Sequence, residues 1–242
     1  KVPDAKTIWK FKNDLAETKT VNTLFCMFDE YLEKEGLISH KGTIVDATFV
    51  DAPRQRNSRD ENKKIKNGEI PEEWEKPENK IKLAQKDIDA DWTKKNGERH
   101  FGYKDHVKCD ADSKLITNYS VTSASVHDSQ RCLVFIGQED EVLYADSAYS
   151  GKPIALALPE NCKNQICEKG YRNSPLTSEQ KMNNRRKSRI RCRIEHIFGF
   201  MTGAMHGITI RSIGITRAWM NIGITNLVYN FCRYSYLKRA SA

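Results

Sequence analysis

Apolar positions recur along the chain in two rhythms. From residue 6 to 36 they keep helical spacing: Ile8, Phe11 and Leu15 form one stripe, Leu24, Phe25, Phe28 and Leu32 another, and Gly36 ends the run. This predicts a helical lead-in over residues 1–40. Residues 43–50 are rich in β-branched side chains and predict a strand. Two more strands are expected near 101–109 and 115–122, joined by a hairpin turn at Asp110-Ala-Asp-Ser. A helix starts near His127-Asp128, a strand covers 141–146, a short helix follows Gly151-Lys-Pro and ends before Pro159, and a strand lies near 164–168. Thr177-Ser-Glu-Gln180 is a capping box that opens a long helix through about residue 202. On it Ile190, Ile194, Ile197, Phe198 and Met201 share a stripe. Residues 213–238 are helical again, with Trp219, Leu227, Phe231 and Tyr234 as expected core.

This order (strand, long insertion, two strands, then alternating helices and strands) predicts an α/β domain over residues 41–242, a mixed sheet flanked by helices. The insertion, residues 53–98, breaks both rhythms: it holds Pro53, Pro71 and Pro77, many Lys and Glu, and little apolar content. A connection that long is functional or disordered. Arg54, Arg56, Arg59, Lys63, Lys64 and Lys66 suit a DNA-binding or synapsis loop; Glu69, Glu72, Glu73, Glu75 and Glu78 suit a solvated, partly disordered one.

Charge narrows the partners. The 242 residues carry a formal net charge of +8, which favours polyanions. Lys181, Arg185, Arg186, Lys187, Arg189, Arg191 and Arg193 fall within thirteen residues with no acid before Glu195. The seven cysteines are odd in number and mostly in apolar contexts, against a disulfide framework and for a reducing compartment. Cys162 and Cys167 are the only close pair, with no CxxC to complete a zinc site. No signal peptide and no apolar run of the ~20 residues a membrane span needs is present.

Three carboxylates stand where carboxylates are costly. Asp46 has apolar neighbours at 44, 45, 47 and 49; Asp146 follows Leu143-Tyr-Ala; Glu195 sits in Arg191-Cys-Arg-Ile-Glu-His-Ile-Phe, roughly 120° around the helix from its apolar stripe at about 100° per residue. A charge inside an apolar strand must be paired, solvated at a strand end or bound to metal. Each acid alone can be a strand or turn cap. Two strand-borne acids and one helix-borne acid in a basic stretch can also hold a pair of divalent cations, the arrangement that cleaves and joins phosphodiesters.

Five motifs, in order, carry a resemblance: Gly42-Thr-Ile-Val-Asp-Ala-Thr, His100-Phe-Gly-Tyr-Lys-Asp-His, Thr122 through His127-Asp128, Tyr144-Ala-Asp-Ser-Ala-Tyr-Ser-Gly, and Arg191-Cys-Arg-Ile-Glu-His-Ile-Phe-Gly. From Val2 to Asn230 the chain resembles the DDE transposases of bacterial insertion sequences, and within them the insertion-sequence five family. The resemblance implies a ribonuclease-H-like catalytic core, two Mg²⁺ or Mn²⁺ ions, and hydrolytic nicking plus strand transfer of element ends. Asp46, Asp146 and Glu195 match the family's three acidic positions as catalytic residues and metal ligands. DNA, as element ends and target, is the implied partner, in a homodimer or higher assembly. The implied setting is cytoplasmic, at the bacterial nucleoid, with no membrane. Family members carry a DNA-binding region upstream, so residues 1–40 are expected to be the tail of a truncated N-terminal region.

Of the basic residues, Arg185, Arg189 and Arg193 form a helical row with Lys187 nearby, expected either to contact phosphates or to be a solvated face. Lys104 and His106 either approach DNA or only flank their strand. His127-Asp128 is expected to cap a helix, His196 to be structural, and Tyr149 to line the site or to pack. A plain nuclease of the same fold and a silent, transposase-derived DNA-binding protein are the competing functions; an aspartyl-phosphate phosphatase is disfavoured because Thr48 stands where its second Asp belongs.

Overall fold

The structure, a computed structural model, describes residues 2–95 and 97–240. Two helices lead in, α1 (Ala5–Glu17) and α2 (Thr20–Lys34), followed by β1 (Thr43–Asp51). The insertion holds α3 (Arg59–Lys66), α4 (Glu72–Glu75), α5 (Lys80–Ala84) and β2 (Asp91–Lys95). Then come β3 (Glu98–Asp110), β4 (Ile116–Ser123), α6 (Ser129–Phe135), β5 (Val142–Tyr144), α7 (Lys152–Ala157) and β6 (Lys163–Asn164). Three helices finish the chain: α8 (Ser178–Arg191), α9 (Arg193–Thr202) and α10 (Ile215–Ala240).

The sheet is mixed, in the order β2-β3-β1-β5-β6, with β4 also on β3. β3 is long enough to serve two partners along one edge, β2 through residues 98–102 and β4 through 103–109, while β1 runs antiparallel along the other. β5 lies parallel to β1, and β6 parallel to β5. Helices cover both faces, as the α/β expectation requires. Ile44, Val107 and Cys109 pack with Ile194, Ile197, Met201 and Ile222 on one face; Val45, Leu143 and Ala145 pack with Phe135, Tyr149 and Ile154 on the other. Gly102 permits β3 to pass close to β1: its φ is +146°, and a Cβ there would meet the Val50 carbonyl oxygen at 2.4 Å.

The insertion is folded, which removes the disordered reading. Ser58 and Glu61 form a capping box at the start of α3. Trp74 is fully buried, its indole donates to Glu61 Oε1 at 2.7 Å, and Lys82 and Lys86 lie over its ring. One large aromatic and a capped helix order a segment whose composition reads as solvated.

Three further findings refine the periodic pattern. Ile8 and Phe11 are exposed, because α1 packs through Leu15 and Ala16 against Met220 of α10 instead. Phe231 is 45% exposed, although its ring meets Phe28 at 4.5 Å. The long helix is broken at Cys192, where the Glu195 amide bonds to the Cys192 carbonyl three residues back at 3.0 Å rather than four.

Candidate active site around Asp46, Asp146 and Glu195

Register brings the first two acids side by side. In the parallel β1–β5 pair Ile44 lies opposite Tyr144, so Asp46 and Asp146 each stand two residues beyond the same rung. β1 continues, whereas β5 ends, leaving Asp46 at an opening in the sheet. Asp146 caps the turn Ser147–Tyr149, its Oδ1 accepting from the Ala148 amide at 2.8 Å. Asp46 Oδ1 accepts from the Ala47 amide at 2.8 Å, which turns Oδ2 towards the helical layer. Glu195 comes from the first turn of α9, with 59% of its side chain exposed.

Arg191 links the sheet to the helix. Its NH1 donates to Asp46 Oδ2 at 3.0 Å and its NH2 to Glu195 Oε1 at 2.8 Å. The planar fork reaches the two carboxylates through separate nitrogens in a fixed geometry. The break at Cys192 separates the helix carrying Arg191 from the helix anchoring Glu195. Burial pushes the Asp46 carboxyl up to about 6, with Asp146 adding to the effect and the Ala47 amide, Arg191 and Lys95 opposing it. For Arg191 burial opposes the charge, but Asp46 and Glu195 more than offset it, so its basicity is raised. The centre therefore holds three carboxylates around one guanidinium, all hard oxygen donors and with a deficit of positive charge. The oxygens of the trio do not all close to within 4.8 Å of one another. Arg191 was legible only as one member of a basic run; its i, i+4 spacing to Glu195 was the available signal.

Beneath the acids lies Tyr149. Its ring is buried in the second core, its hydroxyl has no partner among the described residues, and burial followed by the charges of Asp46, Asp128 and Asp146 raises its pKa well above the usual phenol value. It both packs and abuts the site.

The basic residues divide. Arg185 and Arg189 are exposed and line an open groove of about 590 Å³ with Lys181 and Asn184. Arg193 instead donates to the Ala111 carbonyl at 2.8 Å and Asp112 at 2.9 Å, clamping the β3–β4 turn. Lys187 donates to the Ile166 carbonyl at 2.9 Å, tying α8 to the strand side. Lys104 is buried and donates to the Val126 carbonyl at 2.7 Å and Asp128 at 2.8 Å. Asp128 thus serves Lys104 and makes no side-chain cap to α6. His106 is buried against Thr122 Oγ1 at 2.8 Å, and desolvation lowers its pKa to about 4. His196 is exposed.

Among the described residues the one group with metal-ligand spacing is a different one, His40, Glu139 and Asp140. Lys108 Nζ sits 2.9 Å from Asp140 and 3.6 Å from Glu139, and Thr43 Oγ1 and the Gly137 amide occupy the Asp140 oxygens at 2.6 and 2.9 Å. The lysine already provides the cation there.

No solved structure matches the chain. The family profile described as Transposase DDE domain matches residues 38–231, a span that takes in the whole sheet, the three acids and all but the end of α10. With four-fifths of its length inside that profile, the chain belongs to the DDE-domain transposases.

Proposed function

We propose that this chain is the catalytic core of a transposase that cleaves DNA at insertion-sequence ends and joins those ends to target DNA, with Asp46, Asp146 and Glu195 holding two Mg²⁺ or Mn²⁺ ions. One observation carries the reading: three acids from two strands and a helix gather around the single guanidinium of Arg191. The donor set fits divalent cations, since it consists of carboxylate oxygens and leaves room for substrate oxygens and waters. The guanidinium bridging Asp46 and Glu195 marks where positive charge is needed.

When bound, such ions activate the attacking oxygen and stabilise the leaving one in an in-line displacement at phosphorus. Asp46 and Asp146 are the fixed ligands, each oriented by a backbone amide. Glu195, more exposed, faces the side from which water or a DNA 3′-hydroxyl arrives. Arg185 and Arg189 face outward and are suited to phosphates beside the scissile bond. Lys104, Lys187 and Arg193, engaged internally, hold the scaffold. Two DNA ends joined in one event call for a dimer or larger assembly.

The test is joining of a pre-nicked DNA end to a plasmid target with Mg²⁺ or Mn²⁺. Joined product that disappears in Asp146→Asn, with DNA affinity retained, supports the reading. Hydrolysis without joining makes the chain a nuclease of the same fold, and DNA binding without either makes it a silent DNA-binding descendant.

A further inference from the structure

The folded insertion sorts its charges. Lys64 pairs with Glu72, Lys76 with Glu73, and Lys82 with Glu61, so the glutamates that balance this segment in composition balance only part of it in space. Arg59, Lys94 and Arg99 make no ion pair among the described residues. All three line one open groove of about 430 Å³, with Asn62, Thr93 and Trp92 as its floor. Arg54 extends the charge by lying over the Trp92 ring, 5.7 Å from its centroid.

The groove's position relates it to the acids. Trp92 packs against the core cluster that includes Ile194 and Ile197, so the groove opens on the sheet face that carries Glu195. Lys94 and Arg99 are paired across β2 and β3, eight positions from Val107, the partner of Asp46. That is at most about 27 Å along the strand, less than one turn of duplex DNA, about 34 Å. The hairpin also leans back: Lys95 Nζ is 5.6 Å from the Phe49 ring, and its charge is felt at Asp46. The exposed arginines of α8 lie on the other flank, beside β5 and β6. β1 and its acid stand between two basic surfaces.

We infer that the insertion carries a second DNA-backbone site, formed by Arg59, Lys94 and Arg99 around Trp92, which holds the duplex on the side of the acids opposite α8. The inference rests on the DNA-transposase reading and assigns a role to a segment that reading leaves idle. Lysines on an edge strand also block pairing with other chains. That role does not account for Arg59, which enters the groove from α3, or for Arg54, which enters from the loop before it. Unpaired guanidinium and ammonium groups in one groove release counterions when phosphates replace solvent, so the site contributes affinity with a salt signature and no sequence preference.

The test is binding of a 30-base-pair duplex to the full chain over a range of salt, followed by fluorescence anisotropy, with three variants. Arg59→Ala/Lys94→Ala/Arg99→Ala is expected to weaken binding at least about tenfold near 0.1 M salt and to lower the slope of log affinity against log salt by about two to three units. Arg59→Lys/Arg99→Lys keeps the charges and is expected to retain most of the affinity. Arg185→Ala/Arg189→Ala removes the α8 flank and is expected to lose affinity additively with the first variant. A triple variant with wild-type affinity and slope, beside an impaired α8 variant, overturns the second site and leaves the transposase reading standing. A wild-type chain that binds no duplex overturns both. An RNA duplex bound as tightly as DNA, with the same loss in the triple variant, overturns the assignment to DNA. All three side chains are exposed, and equal thermal melting of the variants and the wild type separates lost contacts from lost folding.

Discussion

Arg191 and Asp46 are separated by 145 residues in sequence and by 3.0 Å in space, NH1 to Oδ2. The same guanidinium also holds Glu195 Oε1 at 2.8 Å. If these carboxylates hold the cations of the proposed function, arginine and cation compete for the same oxygens.

Removing the competitor is expected to strengthen cation binding. Arg191→Ala should bind Mn²⁺ several-fold more tightly than wild type at pH 8, measured by calorimetry. Arg191→Lys, which keeps the charge but loses the planar fork, should fall between them. Unchanged or weaker binding in Arg191→Ala sinks the competition.

Acidity at Asp46 sets a pH limit on that binding. Its pKa is raised to about 6, so the ionised ligand predominates above that value and is depleted below it. Apparent Mn²⁺ affinity is expected to fall about tenfold from pH 7 to pH 5. A carboxylate at its ordinary value would lose little over this interval, so a flat profile would contradict the buried setting of Asp46.

Asp105 poses the opposite case, an acid that does best with its proton. It is fully buried; Asn226 Nδ2 donates to Asp105 Oδ1 at 3.2 Å, while Asp105 Oδ2 and Asn226 Oδ1 both lack partners among the described residues. A single proton on Asp105 resolves both orphans by letting the acid donate to the amide. Burial raises the Asp105 pKa to about 8. The folded state then keeps a proton that the unfolded state releases above its ordinary pKa of about 4, so stability falls as pH rises from about 4 to 8. Asp105→Asn should remove this slope, melting higher than wild type at pH 9 and nearly level with it at pH 5. Parallel melting-temperature profiles would show that Asp105 is ionised when folded.

Lys104 and Arg189 should separate by function. Lys104→Ala leaves the partly buried Asp128 without its cation, at a cost of about 2 kcal/mol, and is expected to lower the melting temperature by several degrees while leaving the salt dependence of DNA binding unchanged. Arg189→Ala should leave melting unchanged and reduce the salt slope by about one unit. The reverse pattern in a melting and anisotropy series would reassign both.

The strands outside the insertion, the hairpin turn and the apolar stripe of α9 were legible because each has a local signature: β-branched runs, turn residues, helical spacing; β2, inside the insertion, was not. The gathering of Asp46 and Asp146 was foreshadowed by each interrupting an apolar strand pattern, but the shared rung is a matter of register, which no local pattern encodes. The engagement of Lys104, Lys187 and Arg193 was hidden for a related reason. A basic residue reads the same whether it meets an oxygen of its own chain or a phosphate, and the partners here come from the 126–128 loop, the segment after β6 at 166 and the 111–112 turn. The insertion misled through composition, since a segment with few apolar residues can still be ordered by one buried tryptophan. Phe231 misled through periodicity, which marks a stripe without saying how far the neighbouring helix covers it.

The break at Cys192 divides the chain's freedom to vary. α9 is rooted in the core through Ile194, Ile197 and Met201, while α8 buries no residue at all. Substitutions that move Glu195's helix must repack the interior and are purged as folding defects. Substitutions on the outer face of α8 meet no such filter, so its pattern of charges can drift or be selected at little cost to the fold. If α8 meets the DNA backbone as proposed, its surface is where affinity for DNA can be tuned across descendants of this chain while the acids stay fixed.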